Sequence, residues 1–171
     1  MTQTHLKPLK GPFGFFQMAY VTSDLDRATA ELGALYGASR FMVHDGVEIQ
    51  TTAGIANARF ALAFVGDQQL EVIQPTGGAD AAYKDVLPAG QYATRLHHFG
   101  RLIVDEKEWD AVSASLRQSG LSLPIGGVAV YDGAPWMHYL YADTRASLGH
   151  YLEFMYRTEA GRGIFDAVPR F

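Results

Sequence analysis

The sequence predicts an α+β fold in which two βαβββ modules set curved mixed sheets around a shared cleft. Three observations predict it. Two strand-like stretches echo each other 81 residues apart, Gln17-Met18-Ala19-Tyr20-Val21-Thr22-Ser23-Asp24 and His98-Phe99-Gly100-Arg101-Leu102-Ile103-Val104-Asp105. Each starts on a side chain able to coordinate, Gln17 or His98, and ends seven residues later on an Asp. Each Asp then leads into apolar residues spaced by three and four, the stripe of an amphipathic helix, followed by a glycine stop. Three more strand-like stretches follow each helix. Strand, helix, stop and three strands recurring at one period point to a duplicated unit with an internal twofold.

The elements follow in order. Residues 1–12, with Pro8, Gly11 and Pro12, read as an irregular lead-in. Residues 15–22 form a strand. Ser23, with Asp26 three residues on, resembles a capping box and opens a helix striped by Leu25, Ala28, Leu32 and Leu35 and stopped at Gly37. Residues 39–44 form a strand that Asp45-Gly46 turns, and residues 57–65 and 69–74 form two more, split by Gly66-Asp67. The first module is thus 12–76. A linker, 77–95, carries one helical turn near 83–87. The second module, 96–157, begins with a strand at 98–104. Asp105 with Glu108 opens a helix striped by Trp109, Val112 and Leu116 and closed by Gly120. A bent strand at 124–131, a turn at Asp132-Gly133 and strands at 136–141 and 150–156 complete it. The tail, 158–171, reads as a covering segment.

Composition bounds the partners. The chain has 171 residues, enough for one compact domain or two fused halves. A net charge of −4 leaves no basic footprint for nucleic acid and no polybasic membrane anchor. No apolar run reaches the roughly 18 residues of a membrane span, and the first residues lack a signal core, so a cytoplasmic protein is expected. The absence of cysteine excludes disulfides, thiolate nucleophiles and Cys-ligated zinc. A homodimer is expected, because exposed sheet edges of such modules pair across a twofold.

The chemistry follows from register. Glu71 in Gln69-Leu70-Glu71-Val72-Ile73-Gln74-Pro75 and Glu153 in Tyr151-Leu152-Glu153-Phe154-Met155-Tyr156 each interrupt an apolar strand. Gln17 precedes Glu71 by 54 residues and His98 precedes Glu153 by 55. Side chains alternate along a strand, so Glu71 shares a face with Ile73, and Glu153 with Tyr151 and Met155; pattern alone leaves open which face is buried. A buried carboxylate is costly unless paired or bound to a cation. Gln17, Glu71, His98 and Glu153 together make an oxygen-rich donor set for one divalent ion: Mn, Co, Ni, Mg or Zn. They do not match the two-His-one-carboxylate set of non-haem iron oxygenases. Of the other histidines, His97 is expected to face away from His98, and His5 and His44 to lie on the surface. His138 is a candidate second acid/base, and His150 lies off the Glu153 face.

At these residues the chain resembles the vicinal oxygen chelate superfamily, over residues 14–157. Leu96-His97-His98-Phe99 resembles the strand start of its epimerase and glyoxalase-like branch. Leu70-Glu71-Val72-Ile73-Gln74-Pro75 resembles its ligand-bearing strand before Pro, Gly149-His150-Tyr151-Leu152-Glu153 its Gly-x-x-x-Glu ending, and Tyr83-Lys84-Asp85-Val86-Leu87 the epimerase linker. Gln17 departs from the commoner His. The resemblance implies a metal-dependent isomerase, epimerase or glyoxalase-type lyase that moves a proton α to the carbonyl of a small acid, thioester or aldehyde adduct. Glu153, shielded by Tyr151, is the first choice of base, with Glu71 as its counterpart. The alternative it implies is a sequestering protein of the same fold, without chemistry. A ring-cleaving dioxygenase is disfavoured by having a single aligned His.

Overall fold

A computed structural model describes residues 14–171. The lead-in at 1–12, the first module's starting boundary and His5 lie outside the described residues. The elements are β1 (Gln17–Thr22), α1 (Leu25–Tyr36), β2 (Met42–Thr51), β3 (Gly54–Val65), β4 (Gln68–Gly78), α2 (Ala81–Lys84), β5 (Thr94–Ile103), α3 (Glu106–Gln118), β6 (Ile125–Tyr131), β7 (Ala134–Ala142), α4 (Arg145–Leu148), β8 (Tyr151–Arg157) and α5 (Arg162–Asp166). The eight strands close into one mixed barrel, β1-β4-β3-β2-β6-β7-β8-β5. The β1–β4 and β5–β8 pairs are parallel and the rest antiparallel. Among the described residues no helix is long and apolar enough to cross a membrane.

The curved sheets close on each other through two seams. The β1–β5 seam runs from Gln17 beside Gly100 to Thr22 beside Thr94. The opposite seam is slight: Thr51 pairs Ile125, and the Thr52 N–H donates to the Pro124 carbonyl at 2.9 Å. Each strand therefore has a neighbour on both sides, although β2 and β6 are joined only through this one pair.

Strand alternation sorts the side chains into two environments. Val21, Ile49, Ile73, Tyr139, Tyr141, Tyr151 and Met155 fill the barrel. On the outer face, α1 lays Leu25, Ala28 and Leu32 on Ala61, Leu70 and Val72, and α3 lays Val112 and Leu116 on Ile103, Leu140 and Phe154. Leu35, expected in the α1 stripe, is 79% exposed.

Local chemistry moved two expected boundaries. Asp24, not Ser23, caps α1 by accepting the Arg27 N–H at 3.1 Å, while the Ser23 hydroxyl accepts the Ala93 N–H. Asp105 caps α3 in the same way, accepting the Glu108 N–H at 2.8 Å. Asp45-Gly46 does not end a strand. It is a bulge inside β2, where the register slips between His44 and Val47 and Gly46 takes φ 66°. The tail covers one side of the barrel: Phe165 packs on Phe16 and Trp136, and the Phe64 N–H donates to the Pro169 carbonyl at 2.7 Å.

Candidate metal centre

Parallel pairing puts Gln69 beside Gln17 and Glu71 beside Ala19. In the other half it puts Tyr151 beside His98 and Glu153 beside Gly100. The 81-residue period carries Ala19 onto Gly100, so Glu71 and Glu153 occupy matching register. Ile73, Tyr151 and Met155 line the interior, whereas Leu70, Val72 and Phe154 face the helices. The two Glu side chains therefore point inward. Gln17, Glu71, His98 and Glu153 are each 7% exposed or less.

All four meet at one atom. His98 Nε2 lies 3.1 Å from Gln17 Oε1, 3.1 Å from Glu153 Oε2 and 3.3 Å from Glu71 Oε2, with the Tyr141 hydroxyl at 3.5 Å. Gln17 is held by Gln69: its amide N–H donates to Gln69 Oε1 at 2.8 Å, which turns the Gln17 oxygen toward His98. Gln69 escaped the sequence reading, although its spacing of two from Glu71 was a signal that the two share a face. Glu71 Oε2 and Glu153 Oε2 are buried without a hydrogen-bond partner, close to Nε2 but out of line with it.

The electrostatics follow. Burial pushes the His98 imidazole down, but Glu153 and Glu71 outweigh it and hold its pKa up at about 9. Burial raises the Glu71 carboxyl, with His98 working against it. Burial and the nearby carboxylates hold the Tyr83 and Tyr141 hydroxyls well above the usual tyrosine range, so both remain donors.

His97 corrects an expectation. Ala19 pairs His98 and Tyr20 pairs Leu96, so His97 has no partner and the strand bulges there. A bulge defeats alternation, and both neighbouring histidines turn to the buried side. Their Nδ1 atoms are 2.9 Å apart, and His97 is 1% exposed.

The other candidates lie elsewhere. His138 packs against Trp109 and Tyr156 on the α3 side, on the opposite face from Met137 and Tyr139, and is not brought to the four. Alternation in β7 explains this. His150 donates from Nδ1 to the Tyr151 carbonyl and stacks edge-on against Phe99. A shallow surface groove of about 620 Å³, lined by Asp26, Thr29, Gly33 and Phe41, contains none of the four and lies away from this chemistry.

Gly100 makes room for the cluster. A Cβ there would stand 2.8 Å from Gln17 Oε1, 2.9 Å from Gln17 Cβ and 2.6 Å from Met155 Cε. Gly100→Ala is expected to destabilise the protein by about 1–3 kcal/mol, the scale of overpacking, read as a lower urea midpoint at unchanged slope.

Among the described residues no group of three or more His, Cys, Asp or Glu has the geometry of an ion site. Spacing and donor chemistry weigh more. Bonds of about 2.1 Å at right angles put adjacent ligands about 3.0 Å apart, close to the separations around Nε2. Two orphaned carboxylate oxygens, an amide oxygen and an imidazole nitrogen fit a hard or borderline divalent cation.

A search of curated proteins finds no match to the sequence. Among solved structures, a methylmalonyl-CoA epimerase from Mycobacterium tuberculosis is similar at 16% identity and TM-score 0.59, covering 94% of this chain and 98% of that one. A Streptomyces coelicolor methylmalonyl-CoA epimerase variant in complex with 2-nitronate-propionyl-CoA is similar at 19% identity and TM-score 0.51, covering 84% and 96%. A hypothetical protein from Bacillus halodurans is similar at 11% identity and TM-score 0.53, covering 85% and 95%. At these identities the likeness is one of fold. Residues 16–141 match a family defined by sequence, and on that match the chain belongs to the Glyoxalase/Bleomycin resistance protein/Dioxygenase superfamily.

Proposed function

We propose that this protein is a divalent-metal-dependent enzyme that moves a proton α to a carbonyl, as an epimerase, isomerase or glyoxalase-type lyase. One observation carries the reading: Glu71 Oε2 and Glu153 Oε2 converge on His98 Nε2 from strands of equivalent register, buried and without hydrogen-bond partners. Gln17 Oε1, Glu71, His98 Nε2 and Glu153 would hold the ion. When bound, it supplies a Lewis acid that stabilises charge developing on a carbonyl oxygen. Glu153 takes the α-proton and Glu71 returns one, each acting on its own face of the carbon. The Tyr141 hydroxyl remains a donor beside them. Val21, Ile73, Tyr139 and Met155 keep the surroundings apolar and exclude water. The same reading takes 12–76 and 96–157 as two modules sharing one site, supported by their equal strand register. Likeness to epimerases, one in complex with 2-nitronate-propionyl-CoA, supports small-molecule acyl thioesters as the first substrates to try.

The test is metal analysis of the purified protein, followed by deuterium uptake from solvent into α-acidic acids, thioesters and aldehyde adducts. One ion per chain and metal-dependent uptake are expected. Absence of both would overturn the reading and leave a binding module as the better account.

A further inference from the structure

We infer that His97 is a positioning residue: it holds a proton on His98 Nδ1, so that Nε2 is the nitrogen that exchanges its own proton for a metal, and the linker backbone fixes His97 in turn. The inference rests on the proposed role of His98 Nε2 as a ligand. It starts from the bulge, which places two consecutive imidazoles side by side in the barrel. His97 Nε2 lies 3.2 Å from the Ala82 carbonyl, in α2. A carbonyl only accepts, so His97 carries its proton on Nε2, and the neutral ring leaves Nδ1 bare. That bare Nδ1 stands 2.9 Å from His98 Nδ1, so the proton between them belongs to His98. A metal-binding histidine needs its remote nitrogen protonated and its near nitrogen available, a condition commonly set by a carboxylate, carbonyl or water. Here a second imidazole sets it, and that imidazole can accept only while the linker carbonyl takes its other proton.

The surroundings hold the relay in place. The His97 ring stacks on Tyr83 of the same linker, with centroids 4.9 Å apart and planes at 21°, and lies 4.8 Å from the Tyr151 ring. His97 and His98 are 1% and 0% exposed, so solvent does not compete for either Nδ1. A purely structural His97 would need the stack but not the two hydrogen bonds. The relay also gives α2 a role in the site: the segment joining the two halves of the chain sets which nitrogen of His98 faces Gln17, Glu71 and Glu153.

The test uses the full chain labelled with ¹⁵N-histidine, without metal and loaded with Zn²⁺. A scalar coupling through the hydrogen bond between the two Nδ1 atoms is expected in both states, with His97 protonated on Nε2. His97→Phe keeps a flat ring against Tyr83 and removes the acceptor; Zn²⁺ affinity is expected to fall about 10–100-fold, the usual scale for a group that orients a ligand. His97→Asn puts an oxygen near the Nδ1 position and is expected to recover much of that loss. Absence of the coupling in the unsubstituted protein overturns the inference, even where the Phe variant does not fold. Wild-type Zn²⁺ affinity in a folded His97→Phe protein also overturns it. A coupling present in a protein that binds none of Zn²⁺, Mn²⁺, Co²⁺, Ni²⁺ and Mg²⁺ overturns the metal reading and supports the relay by itself.

Discussion

Replacing His98 by alanine is expected to abolish stoichiometric divalent-metal binding while the barrel stays folded. His98 Nε2 is the atom on which Gln17, Glu71 and Glu153 converge, at 3.1–3.3 Å. Without it the remaining donors are one amide oxygen and two carboxylates on separate strands, and the repulsion between the carboxylates has no central imidazolium to offset it. Losing a fully buried partner of two carboxylates costs about 3–5 kcal/mol. That falls within the 5–15 kcal/mol typical of a domain only if the rest of the core is sound, and the two cores under α1 and α3 on the outer face of the sheet lie outside this cluster. Glu71→Ala is expected to lose the metal as well. The measurement is metal content per chain after gel filtration, with far-UV circular dichroism to check the fold. Unchanged metal in both variants would sink the assignment of the four ligands.

Glu153→Gln is expected to keep much of its metal and lose solvent-deuterium incorporation into a true substrate by ~10²-fold or more, the usual scale for a positioned base. An amide oxygen can still ligate, but it takes no proton at neutral pH. Glu71→Gln is the matched control, because the two carboxylates stand in equivalent register around one nitrogen. Burial raises the Glu71 carboxyl, which suits it to hold and return a proton. Full exchange in Glu153→Gln with loss in Glu71→Gln reverses the two roles. Full exchange in both removes proton transfer by these groups from the account.

The sequence by itself determined the repeat and the four convergent residues. A period of 81 and offsets of 54 and 55 residues are properties of chain position, and they survive folding because parallel strands of equal register inherit them. The helix stripes apart from Leu35 and the Asp105 cap of α3 were equally legible, being local, whereas the cap of α1 fell on Asp24 rather than on Ser23. Only the tertiary structure decided which face of each strand turned inward, since alternation names two faces and burial chooses one. It decided that His97 joins His98, because one unpaired residue in β5 reverses the expected side, and no composition rule marks that slip. It also sent His138 out toward Trp109, brought Gln69 to Gln17, and joined the two curved halves at their far edge through the pairing of Thr51 with Ile125. Each of these outcomes depends on pairing between strands distant in sequence, where a shift of one residue exchanges interior for exterior.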